Sequence, residues 1–333
     1  MIIANSSLNY RDQRSYQKIN FGRKSSSANF KNLNSFNNDI FYRQPSLTSP
    51  GSKIQKPTNS KVIIPENYDT VDGYDSCSES VKETLRKKFI ENCSAKLPKY
   101  PLLKEDNMDD LVDTSRFLSR IYPKDRLVSV GRSPLWILEA GKLSNKIKEY
   151  TYAAFSGSWA FNSYTGIDEW KPDSEYMNHY RRYLEKIEVD PETIVKKLKE
   201  SGQKTILIDL IANGHGINSF IQVVSDWAKE IDKTREGFFK DFQEAVGVNV
   251  ITSNVSVRYN HPEFKTMRQK IDMSLFQALL LHGDHLDNSL GVHYCWNEWP
   301  YTDPLKAEPS ENARLMKFWV IDHLAKNNLL KRL

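Results

Sequence analysis

Cysteine is scarce: the 333 residues hold only Cys77, Cys93 and Cys295. Their odd number and unrelated spacing exclude a disulfide framework and a zinc knuckle, and leave thiols of a reducing compartment. Long apolar runs are missing too. None approaches the roughly 18–20 residues that a spanning helix needs, so no transmembrane segment is expected. The N-terminus lacks the apolar region of a Sec-type signal peptide. The expected location is therefore cytoplasmic, or a host cell reached by a route without such a signal. An excess of one charge is absent from most of the chain. Residues 1–60 hold nine Lys/Arg against two Asp, whereas the remainder has 38 basic and 40 acidic residues. That remainder shows no basic stretch interleaved with aromatics, so no nucleic-acid face is expected in the core.

What is present divides the chain in two. Residues 1–60 contain 20 Ser or Asn and no sustained period, so 1–70 reads as a disordered, basic tail. Such a tail serves as a linker, as an export signal read by secretion machinery or a host partner, or as an electrostatic tether. The folded part is expected over 75–333, with 39% apolar residues in the whole chain to supply a core.

Ser80-Val-Lys-Glu-Thr-Leu-Arg-Lys-Lys-Phe-Ile90 predicts a helix with Val81, Leu85, Phe89 and Ile90 as its apolar stripe. A second helix is predicted over 107–122. Arg126–Val130 and Thr151–Phe155 are short β-branched or aromatic runs, each soon followed by Gly. Pro134 opens a helix between them, and 174–187 forms another. Asp190-Pro191-Glu192 caps a helix that stops at Gly202. Thr205–Asp209 is the clearest strand, followed by a turn with Gly214 and Gly216 and a helix over 217–231. Val248–Ile251 is a further strand, and 311–327 the last helix. Strands alternating with helices predict an α/β fold: a mostly parallel twisted sheet flanked by helices, with helices before it and a helical segment after it.

Two of the turns carry chemistry. In Ile206-Leu-Ile-Asp-Leu-Ile-Ala-Asn-Gly-His-Gly-Ile217 a buried strand ends in a carboxylate, then a Gly loop leads into a helix. Such a loop aims backbone N–H groups and the positive helix end at one point, which favours a phosphate. Asp209 is placed to accept hydrogen bonds from ribose hydroxyls. In Val128-Ser-Val-Gly-Arg-Ser-Pro-Leu-Trp136, Gly131 and Ser133 offer N–H donors and Arg132 a charged clamp. A Walker loop is excluded, since no Gly-Lys-Ser/Thr follows, and the dinucleotide fingerprint lacks its third Gly.

The first of these segments resembles the diphosphate-sugar motif of type I phosphoribosyltransferases: an apolar strand, two acids, then Thr-Gly-Gly-Thr. Asp209 matches the second acid and Asn213 the first Thr. Gly214 and His215 match the two Gly, and Gly216 the last Thr. Ile208 stands where the first acid belongs. The second segment resembles that family's pyrophosphate loop. The resemblance covers about 120–255, with a hood and last helix over about 256–333. It implies a phosphoribosyl-binding loop of Asp209, Ala212, Asn213, Gly214, His215 and Gly216, and a pyrophosphate loop of Gly131, Arg132 and Ser133. Phe155, Ser156, Gly157 and Trp299 would edge the acceptor. Asp209 and Arg132 would be the catalytic pair, with Mg²⁺ carried in on the pyrophosphate and no metal held by the protein alone. The chain is also similar to divergent phosphoribosyltransferase-like domains of fungal proteins and bacterial secreted effectors, through Asn297-Glu-Trp-Pro-Tyr-Thr-Asp-Pro304.

Three functions follow as expectations: a pentosyltransferase acting at the anomeric carbon of a phosphoribosyl ligand; a degenerate sugar-phosphate- or nucleotide-binding regulatory module, favoured by Ile208 and Gly216; and an exported effector, compatible with either. Other groupings have plainer readings. His282-Gly-Asp-His285 with His293 suggests a metal, but Gly283 disfavours a rigid helical face and capping or surface roles suffice. Trp296 to Tyr301 forms either a base-stacking wall or core. His215 is either a phosphate donor or an idle loop residue.

Overall fold

The computed structural model describes residues 62–96, 105–155, 174–212, 214–253, 259–285 and 309–331. All belong to the unit Ser60–Leu333. The tail expected over 1–70 lies outside them up to residue 61.

Five strands, β1 (Arg126–Val130), β2 (Tyr150–Ala153), β3 (Thr205–Leu210), β4 (Val246–Thr252) and β5 (Thr266–Lys270), form one sheet in the order β2-β1-β3-β4-β5. Every pairing is parallel. Parallel strands are covered on both faces, and their sequences read as continuous apolar runs. β3 meets that demand: Ile206, Leu207 and Ile208 are all buried.

Alternation along each strand then sorts side chains to opposite faces. Ile206, Ile208 and Leu210 join a core built with α1 (Val71–Ser76), α2 (Glu79–Lys96), α3 (Glu105–Ile121) and α4 (Leu135–Leu143). That core also takes in α9 (Met273–His285) and α10 (Glu311–Lys326). Leu207 joins the other core, with α5 (Ser174–Lys186), α6 (Pro191–Ser201), α7 (His215–Asp232) and α8 (Phe238–Ala245).

The helix ends follow local chemistry. The Asp190 carboxylate accepts from the Thr193 N–H at 2.8 Å, Pro191 occupies the first turn, and Gly202 ends α6 left-handed at φ 69°. Two tyrosines of α5 tie down the exit of β2. The Tyr180 hydroxyl donates to the Ala154 carbonyl at 3.0 Å, and that of Tyr183 to the Tyr152 carbonyl at 3.1 Å.

Several expectations are corrected. The folded chain starts before residue 75, because Thr70 caps α1 and Tyr68 and Tyr74 are buried in the core. Ile90 is 40% exposed and outside the apolar stripe of α2. The sheet continues past residue 255 through β5, an edge strand whose residues are mostly exposed. α9 runs as helix through Gly283 to His285, so the glycine does not break the backbone there. No helix among the described residues is long and apolar enough to cross a membrane.

The strand order has one functional consequence. The chain passes from β1 outward to β2, then crosses back to lay β3 on the other side of β1. Connections from the two central strands therefore leave toward opposite faces, the arrangement at which parallel α/β sheets form a crevice at the strands' carboxyl ends.

Candidate functional site

Both glycine loops leave the sheet at this reversal of strand order. Ser129 pairs with Ile208, so the ends of β1 and β3 lie side by side, about 5 Å apart as neighbouring strands are.

On β1, Gly131 turns left-handed with φ 74°. Its N–H donates to the Ala153 carbonyl at 2.9 Å, and its own carbonyl accepts from the Ser129 hydroxyl at 2.9 Å. A Cβ at this position would lie 2.9 Å from the Phe155 carbonyl oxygen. Glycine is therefore required twice, by φ and by space. Arg132 and Ser133 follow, both partly exposed, and α4 begins beyond Pro134. Burial pushes the Tyr152 phenol well up, and Tyr183 adds to this. The Arg132 charge opposes the shift, which puts its guanidinium within electrostatic reach of that ring.

On β3, Asp209 points to the α7 face. Burial raises its carboxyl from the ordinary aspartate value to about 7, against the smaller effect of the Leu210 N–H that donates to it. Part of its surface still reaches solvent. Among the described residues no Lys, Arg or His forms an ion pair with it. The Ile211 N–H donates to the Ile251 carbonyl at 2.8 Å, prolonging the ladder, and Ala212 is exposed. Gly214, left-handed with φ 85°, is the N-cap of α7 and supplies no capping side chain. The helix starts at His215, so Gly216 lies in its first turn rather than in the loop. A Cβ on Gly216 would lie 3.8 Å from the Asp209 Oδ2. The carboxylate thus sits beside the positive end of a helix of 18 residues.

The structure brings Asp209, Gly214, His215 and Gly216 together, with Ala212 at the rim and Gly131 to Ser133 on the adjoining strand end. Asn213, Ser156, Gly157 and Trp299 lie outside the described residues, as do His293 and the Trp296–Tyr301 segment. The Phe155 ring, expected to edge the acceptor, is packed in the core. It is 6% exposed and packs against Phe220 at 5.5 Å and Tyr180 at 5.9 Å, as core; its carbonyl is what reaches the Gly131 loop. Ser219 is fully buried and its hydroxyl donates to the His215 carbonyl.

One residue of the site escaped the sequence reading. Tyr259, in the connection from β4 to β5, lays its ring where a Gly214 side chain would be, 2.6 Å from the Cβ position. Its hydroxyl donates to the Asn218 Oδ1 at 2.7 Å. Burial raises its phenol, and the Asp209 charge raises it further. No local signal announces a partner 45 residues away from Gly214 in sequence.

A depression of about 710 Å³ is lined by residues of α3, of β5 and just beyond it, among them Asp110, Asp113, Arg268, Gln269 and Asp272. No residue of either glycine loop lines it. Burial, then Asp272 and the other nearby aspartates, raise the Asp110 carboxyl there.

No protein-family model matches the chain, and no curated protein is detectably similar to it.

Proposed function

We propose that the chain is a phosphoribosyltransferase-like protein. It binds a phosphoribosyl (pyro)phosphate or nucleotide ligand across the carboxyl ends of β1 and β3 and acts at the anomeric carbon. The observation that carries this reading is the pair of left-handed glycine turns, Gly131 and Gly214, on neighbouring strand ends at the point where the strand order reverses. Such crevices take ligands in parallel α/β sheets, and the start of α7 favours a phosphate.

In this reading the first-turn amides of α7 hold the 5-phosphate. Asp209 accepts hydrogen bonds from the ribose hydroxyls. Arg132, with the Gly131 and Ser133 amides, takes the pyrophosphate. As the bond from C1 to the pyrophosphate oxygen breaks, its electron pair leaves with that oxygen. Arg132 stabilises the charge that grows there, and an acceptor nucleophile attacks the oxocarbenium-like carbon. Mg²⁺ fits as an ion brought by the ligand, because it is satisfied by phosphate oxygens and water and asks few oxygens of the protein. It would help neutralise the departing pyrophosphate.

A binding module without turnover is the second reading, and Ile208 favours it. Ile208 is fully buried in the apolar core on the face opposite Asp209. The site thus has one strand-end carboxylate where the family motif has two.

Calorimetric titration with phosphoribosyl pyrophosphate and with ribose 5-phosphate, each with and without Mg²⁺, tests the proposal, followed by an assay for pyrophosphate release. Saturable binding that Asp209→Asn abolishes supports it, and pyrophosphate release separates enzyme from binding module. Absence of binding to both ligands overturns it.

A further inference from the structure

The residues around Gly214 form a closed circuit. The Asn218 N–H donates to the Gly214 carbonyl at 3.1 Å. The Asn218 side chain accepts from the Tyr259 hydroxyl at 2.7 Å. The Tyr259 ring fills the space over Gly214. Tyr259 itself is 8% exposed and belongs to the core beneath α7. A left-handed residue at a helix start that lacks a capping side chain has little local reason to stay put, and here a remote chain segment holds it.

We infer that Tyr259 is a positioning residue for the anion loop. Its ring locks Gly214 in the left-handed turn, its hydroxyl ties the first turn of α7 to the connection from β4 to β5, and the two together fix the amides beside Asp209. The circuit also excludes water from one side of Asp209. The Asp209 charge adds to the upward shift of the Tyr259 phenol, and Asp209 itself responds to burial and to the Leu210 amide. For the identity of the ligand the inference rests on the phosphoribosyl reading; for the state of Asp209 it does not.

Two measurements test it on the full chain. The first is calorimetric affinity for ribose 5-phosphate. The second is the titration midpoint of Asp209 in ligand-free protein, followed by the carboxyl ¹³C resonance that Asp209→Asn removes. Tyr259→Phe keeps the ring and loses one hydrogen bond, so affinity should fall about three- to tenfold. Asn218→Ala should cost about the same, and the double variant little more, because both delete one contact. Tyr259→Leu should weaken binding more than tenfold and move the Asp209 midpoint down toward the ordinary aspartate value. Fully additive effects of Tyr259→Phe and Asn218→Ala would overturn the circuit. An Asp209 midpoint and affinity unchanged in a folded Tyr259→Leu would reduce Tyr259 to packing. If wild-type protein binds no ribose 5-phosphate, the phosphoribosyl reading fails, and the Asp209 midpoint in Tyr259→Leu and Tyr259→Phe still decides for or against the positioning role.

Discussion

Asp322, buried, and Asp209, largely buried, lie on opposite faces of the same sheet, and their surroundings differ. Asp322, 5% exposed on α10, receives a bidentate Arg86 at 2.6 and 3.0 Å, the Tyr74 hydroxyl at 2.9 Å and Lys326 at 3.0 Å. Burial pushes its carboxyl up, but these donors outweigh burial and hold it below the ordinary value. Among the described residues Asp209 has no such escort, and burial raises it to about 7. Buried charges are normally paired because desolvation is costly. The other buried acid on the Asp322 face obeys as well: Glu139 meets Tyr150 at 2.8 Å and Lys317 at 3.1 Å. A carboxyl with no counter-charge among the described residues, beside a helix start and a glycine turn, is the kind of group on which the proposed ligand site rests.

The comparison can be broken in several ways. The largest effect concerns Asp209. Its raised pKa favours the protonated carboxyl in the folded state, so ionisation opposes folding as pH climbs from about 4 through 7. Asp209→Asn should therefore stabilise the protein at pH 8 by up to about 4 kcal/mol, at ~1.4 kcal/mol per unit of pKa, and hardly at pH 4. Urea unfolding at the two pH values measures this; a destabilised variant at pH 8 would remove the contrast. For Asp322 the sign is opposite: its stabilisation is present above the ordinary aspartate pKa and lost as pH falls below it. Arg86→Met should cost about 3 kcal/mol at pH 7 and less at pH 3, by the same unfolding assay.

Gly214→Ala should cost about 3 kcal/mol, combining a left-handed alanine with displacement of the Tyr259 ring. It should also abolish binding of ribose 5-phosphate, and unchanged calorimetry would show that the loop is not the anion site. The smallest effect belongs to a third carboxylate, Asp190. Asp190→Ala removes the N-cap of α6 and should cost about 1 kcal/mol with ligand affinity intact. A large loss of affinity there would mean that the site extends well beyond the two glycine loops.

How legible this was in the sequence depended on whether the determining contacts were local. β1 and β3 were readable because a buried parallel strand is a short apolar run and a glycine ended each turn. α6 was readable because Asp190, Pro191 and Gly202 mark both ends. β5 was missed, since Thr-Met-Arg-Gln-Lys is an edge strand with mostly exposed residues and carries no apolar alternation. α8 was missed because eight residues give barely two turns of period. α7 starts two residues earlier than expected, because glycine was read as loop at position 216 although it sits in the helix beside Asp209. At the site, Asp209, Gly131 and Gly214 were visible from their turns. Tyr259 was not, because its place over Gly214 is decided by tertiary packing.

A carboxyl that burial raises to about 7 would make any ligand that needs its anionic form a proton-releasing ligand. Molecules whose carboxyl is protonated must shed a hydrogen ion as they bind such a ligand. The heat measured in a calorimeter then depends on the buffer that receives it, and occupancy follows acidification of the surroundings even when the ligand concentration is constant.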